Sequence, residues 1–280
     1  MRYSFSGHES FQCKTLWLKK GFDFISQGKN FNDNNAVIDL AVGKNMVSAI
    51  RFWLKAFGLS ENDTTTHIAQ FIFSDLNGKD RFSEDILTLW ILHYHLVNSE
   101  IASIYNLIFC EYQREKQEFD QSLLLAFIKR KCSTPEQKNV FNENTVKKDI
   151  KVFTHNYTSP KDNKSIEDFC NIFIDLNLIR NTESGYYTFN KTSLNSIPSA
   201  VILYALIDIK GNDKTISFDL IQKLALIFCL NISDLITIIK QLEAENPTTI
   251  VYSDNSGIKN IQFLNEIDKY EVLNRYYTNQ

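Results

Sequence analysis

The sequence predicts a mainly α fold with small β-hairpins, arranged as two winged-helix-like lobes flanking a helical bundle. Three observations carry this expectation. Only 4 prolines and 9 glycines interrupt 280 residues, too few for a turn-rich sandwich. Hydrophobic residues make up 44% of the chain, and their spacing is mostly helical rather than alternating. At each end, two adjoining helical stretches lead into a segment with hairpin character, as a winged helix requires.

The elements follow in order. After the opening Phe5-Ser6-Gly7-His8-Glu9-Ser10-Phe11, a helix is predicted over 15–27, with Leu16, Trp17, Leu18, Phe22 and Ile25 as its apolar bulk. The polar stretch Gly28 to Asp33 reads as a loop, and 34–41 as a short second helix. Gly43 makes a turn, and a third helix spans 44–57. Val47, Ile50, Leu54 and Phe57 fall at i, i+3, i+7 and i+10, an inward stripe, while Lys44, Ser48, Arg51 and Lys55 share another face. Two helices joined by a glycine turn, the second basic on one face, fit a helix-turn-helix. Thr64 to Phe73 is rich in β-branched and aromatic residues and precedes Asn77-Gly78, which predicts strands forming a wing. The middle reads as helices over 84–98, 100–112, 119–131 and 135–151, the last opened by Thr134-Pro135-Glu136. Residues 154–164 (THNYTSPKDNK) have the strongest loop composition and suggest a boundary. Helices over 198–209, 217–229 and 232–245 follow, then strands over 248–252 and 258–263 around Ser253-Asp254-Asn255-Ser256-Gly257. The expected regions are therefore 1–82, 83–160 and 161–280.

Charge is distributed unevenly. The net charge of −3 gives no global signal for nucleic acid. Residues 1–60, however, carry Arg2, Lys14, Lys19, Lys20, Lys29, Lys44, Arg51 and Lys55 against only Glu9, Asp23, Asp33 and Asp39. Residues 231–280 are acidic on balance, and Lys240 faces Glu243 and Glu245. The first lobe is the one to meet phosphate, and the last is read as a protein-contact or homodimerisation lobe. Cys13, Cys110, Cys132, Cys170 and Cys229 are scattered singly, which speaks against a zinc ribbon or disulfide framework and for free thiols in a reducing cytoplasm. No run of 18 apolar residues would span a membrane, and the first residues lack the apolar stretch of a secretory signal.

Two groups of residues carry candidate chemistry. In the third helix, Lys44, Asn45, Ser48, Arg51 and Lys55 are the DNA-binding candidates, the lysines on phosphate and Asn45 or Arg51 near base edges. Arg51, beside Phe52 and Trp53, has packing of its stem in the core as its alternative. His8 and Glu9 are the catalytic candidates: an imidazole can activate water, and a carboxylate can orient it or hold a divalent metal, Mg²⁺ or Mn²⁺. Lys14, Lys19 and Lys20 follow closely and would neutralise phosphate. Adjacent residues point apart in an extended chain, so His8 and Glu9 each need a separate partner. Their structural alternative is to cap the first helix or lock the N-terminal segment onto the bundle. His93 and His95 sit about 200° apart on a helix and are core or groove histidines rather than joint metal ligands. Neither a restriction-nuclease acid pair with E-x-K nor a phosphate-binding glycine loop is present in the sequence.

Several blocks resemble one family. Phe5 to Phe11, Trp17-Leu18-Lys19-Lys20-Gly21, Val42-Gly43-Lys44-Asn45-Met46-Val47 with Ile50-Arg51-Phe52-Trp53, Glu84 to His93, and Lys148-Asp149-Ile150-Lys151-Val152-Phe153 are similar to the domain-of-unknown-function family numbered four thousand and seven. That family includes the SspB-type DNA nickases of DNA phosphorothioation gene clusters. The resemblance implies a DNA-binding component of such a modification or defence system that nicks one strand. It also implies a cysteine desulfurase, an ATPase and an ATP-pyrophosphatase-like sulfur-transfer enzyme as partners. A non-catalytic DNA-binding adaptor or regulator docking those enzymes is the alternative, and a protein scaffold without DNA contact a third.

Overall fold

The structure is a computed structural model, and it describes residues 2–159, 171–255 and 258–279. It is mainly helical, with small antiparallel sheets, as the sequence predicts. The chain divides into two compact units, Met1–Asn190 and Lys191–Gln280. The regions expected to end at 82 and 160 lie together in the first unit, whose limit falls 30 residues beyond the expected 160/161 division.

The first unit opens with α1 (Thr15–Ser26), α2 (Ala36–Asp39) and α3 (Lys44–Ala56). α1 and α3 pack at Gly21, where an added Cβ would lie 2.7 Å from both Ile50 Cγ2 and Leu54 Cδ1. The missing side chain is what lets the two helices approach. A minimal hairpin follows, β1 (Ser60–Glu61) paired antiparallel with β2 (Thr64–Thr65). The strands expected over 64–73 are not formed beyond Thr65: α4 (His67–Phe73) takes their place. Ile68, Ala69, Ile72 and Phe73 are all buried. Their spacing is the i, i+1, i+4, i+5 pattern of a short helix, which outweighs the strand preference of isoleucine and phenylalanine. The hairpin after α3 is therefore confined to β1 and β2, shorter than the expected strands.

α5 (Ile86–Val97) is apolar almost all round and runs through the core, capped by the Asp85 side chain accepting from Leu87 N. α6 (Ser103–Asn106), a π-helical stretch Leu107–Tyr112 and α7 (Gln113–Glu115) follow in succession. β3 (Glu118–Phe119) and α8 (Gln121–Lys131) come next. The helix expected over 135–151 is corrected. Thr134-Pro135-Glu136 opens only a 3-10 turn, Pro135–Gln137, and the long helix α9 runs Glu143–Tyr157. Its true cap is Asn142, whose side chain accepts from Thr145 N. The loop expected over 154–164 begins later than its composition suggests, because α9 continues through Tyr157; residues 160–164 lie outside the described residues. β4 (Ile179–Asn181) and β5 (Tyr187–Phe189) complete a sheet of order β3-β5-β4. The core is strongly aromatic, built on Trp53, Tyr105, Phe109, Phe153, Tyr157 and Phe173.

The second unit has the order α10 (Ser199–Lys210), β6 (Thr215–Ser217), α11 (Phe218–Ile227), α12 (Ile232–Glu245), β7 (Ile250–Asn255), β8 (Ile258–Phe263) and α13 (Lys269–Thr278). Its sheet is antiparallel with order β6-β8-β7. The hairpin expected around residues 253–257 is present, with Ser253 opposite Asn260. Cys13, Cys110, Cys132 and Cys229 are buried, while Cys170 lies outside the described residues. Among the described residues, no single helix is long and apolar enough to cross a membrane.

Candidate nucleic-acid interface

The FSGHESF segment is held by the inward face of α9. Val146, Ile150, Phe153 and Tyr157 make that face apolar, and Asp149 and Asn156 interrupt it one heptad apart. Asp149 Oδ2 accepts from Ser6 N at 2.8 Å, and Asp149 Oδ1 meets His8 Nε2 at 3.0 Å. Ser10 N donates to His8 Nδ1 at 3.1 Å, so Nδ1 is unprotonated and Nε2 carries the hydrogen given to Asp149. Further along, Cys13 N donates to Asn156 Oδ1 at 2.8 Å, and Asn156 Nδ2 to the Tyr105 hydroxyl at 2.6 Å. The His8 ring stacks on Trp53 at 6.0 Å and meets the edge of Phe52 at 5.7 Å. His8 is only 4% exposed. Both ring nitrogens are engaged, so in this conformation neither is offered to a water. Glu9 is exposed at φ 50° and shares no contact with His8. The two do not form a dyad, and the locking role is the one the geometry gives His8. Burial and the lost hydrogen bonds would cost about 1–3 kcal/mol per unpaired group were Asp149 removed.

Asp149 and Asn156 are the residues sequence reasoning missed. Their signal was available: two polar residues at core positions of an otherwise apolar helical stripe. His93 lies fully in the core with Nδ1 2.8 Å from the Tyr157 hydroxyl, in line with a core histidine.

The basic candidates separate into three groups. Lys19 is turned inward, its Nζ 2.6 Å from Asp23 and 2.7 Å from Asp75. Burial pulls its pKa down, yet the hydrogen bonds and charges of the two carboxylates outweigh that and leave it raised. In this structure Lys19 is a buried cation paired with two carboxylates and not part of the cleft. Arg51 makes a bidentate pair with Asp63, at 2.9 Å and 2.5 Å, and Lys55 lies 3.5 Å from the same carboxylate. Arg51 also lies over the Phe31 ring. Burial pushes Asp63 up, but Arg51 and then Lys55 hold its carboxyl below the usual carboxylate range. Arg51 and Lys55 thus brace α3 against the β1–β2 hairpin. Lys14, Lys20, Lys44 and Asn45 are the ones brought together.

They meet at a cleft of about 720 Å³ lined by Phe11, Gln12, Lys14, Thr15, Leu16, Trp17, Lys20, Ala41, Val42, Gly43 and Met46. A smaller adjoining hollow shares Phe11, Gly43 and Met46 and adds Lys44 and Asn45. Among the described residues, no carboxylate lines either. α3 begins at the cleft with Gly43 as its N-cap, no capping side chain and no acid in the first turn. The positive end of that helix therefore adds to the lysines. Lys44, Asn45 and Ser48 are exposed. Lys20 Nζ donates to the Leu40 carbonyl at 3.1 Å, and Lys14 Nζ to Asn171 Oδ1 at 3.3 Å. Trp53 Nε1 holds the Phe11 carbonyl at 3.2 Å, which fixes the wall between the cleft and the His8 network.

The protein of unknown function family DUF4007 matches residues 5–277. The chain belongs to this family. Two solved structures share its fold: magnesium-bound SspB, at TM-score 0.81 and 24% identity, covering 99% of this chain and 88% of that one, and SspB alone, at TM-score 0.80 with the same identity and coverage. No curated protein matches the chain. The resemblance read from the FSGHESF and VGKNMV blocks is thereby confirmed at the level of family and fold. Among the described residues, no group of three or more His, Cys, Asp and Glu side chains is placed to hold a metal ion. Magnesium commonly keeps several waters and takes only one or two carboxylates plus substrate phosphates, so a closed cage is not what this ion requires. The cleft itself, lined by Lys14 and Lys20 and largely by apolar groups, fits an anion and, among the described residues, offers no carboxylate to a cation.

Proposed function

We propose that this chain is a DNA-binding component of a DNA phosphorothioation modification or defence system, with single-strand nicking as its activity. The observation that carries the reading is the cleft: Lys14, Lys20, Lys44 and Asn45 converge at an open helix N-terminus with no carboxylate among the lining residues. Phosphate is the group such a surface stabilises. Membership in the family and the SspB-like fold support the system to which it is assigned. The partners follow from that assignment: a cysteine desulfurase, an ATPase and an ATP-pyrophosphatase-like enzyme. The second unit, with helix-strand-helix-helix-strand-strand order, is inferred to be a winged-helix-like protein-contact lobe, through which a homodimer would also form. In the nicking reaction Glu9, exposed within the FSGHESF segment, would orient water or hold a divalent metal such as Mg²⁺ or Mn²⁺, and His8 would anchor that segment through Asp149.

A second reading has its own observation. His8 is sealed against Asp149 and Trp53 with both nitrogens engaged, which favours a DNA-binding adaptor that does not cleave. Purified protein is incubated with supercoiled plasmid and Mg²⁺ or Mn²⁺, and DNA retention is measured in parallel across salt. Open circles from wild type but not from Glu9→Ala are expected for the nickase. Retention that weakens with salt and on Lys44→Glu, without open circles, gives the adaptor. No retention at low salt would end both readings.

A further inference from the structure

The cleft is larger and more apolar than phosphate contact alone requires. A surface that only follows a duplex backbone needs exposed cations on a convex face, and its walls have no reason to be hydrocarbon. Here Phe11, Leu16, Trp17, Val42 and Met46 line a concavity whose volume, about 720 Å³, lies in the range of roughly 300–1,000 Å³ common for small-ligand sites. Leu16 is 57% exposed, so apolar surface remains open to solvent within a ring of lysines. Phe11 is held in place through its carbonyl by Trp53, so an aromatic face stands ready without further ordering.

Resting on the DNA-binding reading above, we infer that this cleft receives one unpaired nucleotide of DNA. Its base lies against Phe11, Leu16 and Met46, and its phosphate on Lys20, Lys44 and the first turn of α3. Every base has an apolar face, and stacking on such walls is tolerant of sequence. Charge points to the occupant: the cations on the rim, with no carboxylate among the described lining residues, select a ligand that is apolar in the middle and anionic at its edge. A nucleotide drawn out of the helix has that character, and a site of this shape offsets part of the cost of unstacking it.

The test compares four DNAs by fluorescence anisotropy: an intact duplex, the same duplex with one bulged nucleotide, the same bulge made abasic, and a single strand. Base–wall contact is worth enough to raise affinity for the base-bearing bulge about tenfold over both the intact duplex and the abasic bulge. Leu16→Ser, at an exposed position on the cleft wall, is expected to bring the affinities for the base-bearing and abasic bulges together. Lys44→Glu should weaken all four. Equal affinity for the base-bearing and abasic bulges, or a gain that survives in Leu16→Ser, overturns the inference while the DNA-binding reading stands. Failure of every DNA to bind overturns that reading and the inference with it.

Discussion

At Gly7 the backbone adopts φ +102°, and an added Cβ would lie 2.5 Å from Phe52 Cδ2 and 2.8 Å from Cε2. Strain in that region costs about 1–3 kcal/mol for a side-chain-bearing residue, and overpacking against a fixed ring costs a similar amount again. Gly7→Ala is therefore expected to destabilise the first unit by about 2 kcal/mol or more, read as a lower denaturation midpoint. A midpoint within error of wild type would show that Phe52 moves aside freely. The position also explains what the sequence disclosed at residue scale. FSGHESF stood out as a block of chemistry, but its glycine, its histidine and its left-handed Glu9 are all accounted for by threading between α3 and α9. The partner Asp149 is 141 residues away from His8 and legible only as a carboxylate on a core stripe. Lys19 could not be sorted from Lys20 by sequence, because Asp75, which claims it, lies 56 residues on.

Helices with strong apolar periodicity were legible to within a few residues: α1, α3, α5 and α12 begin and end near their predicted limits. Where propensity and periodicity disagreed, periodicity decided, as α4 shows. The Thr-Pro-Glu signal before residue 137 failed because a proline start fixes only the first turn, whereas Asn142 supplies an actual cap five residues beyond it. The basic face of α3 was read correctly as a face but not as two halves. Its first turn lines the cleft, while Arg51 and Lys55 share the Asp63 carboxylate from the β1–β2 turn. A prediction belongs to that bracing. Asp63 has a folded pKa depressed below its ordinary 3.8, so its contribution is present above that value and is lost as pH falls through the lower folded value. Asp63→Asn should therefore be less stable than wild type at pH 6, with the deficit shrinking below about pH 4. Urea denaturation at a series of pH values measures it. A deficit of the same size at pH 6 and pH 3 would mean that the ion pair contributes nothing to the fold.

At the scale of the whole chain, the expected break after residue 160 rested on loop composition, whereas the division into compact units falls at 190/191. Composition marks where the backbone is polar, but a unit ends where burial ends. β3, β4 and β5 form one sheet across that interval, and the Phe119 and Phe189 rings meet at a tilt within it at 5.3 Å, so the first unit has to extend through β5. The second unit has its own closure. Ile202, Leu206, Ile216, Leu224, Leu235, Ile239, Ile250 and Ile261 are buried within it, and the three-stranded sheet leaves β8 paired on both sides. Its first residues are tied to that same unit, since Thr192 N donates to the Cys229 carbonyl and Thr192 Oγ1 to the Phe228 carbonyl at 2.6 Å. Lys269 at the start of α13 reaches Asp208 of α10 at 2.5 Å, which fastens the last helix to the first. A segment of about 90 residues with a continuous core of that kind lies above the size at which domains need staples. Residues 191–280 expressed alone are therefore expected to fold, with helical circular dichroism and a single cooperative thermal transition. A fragment that melts without cooperativity would mean that its core is completed by the first unit. In that case residues 191–280 would fold only together with the rest of the chain.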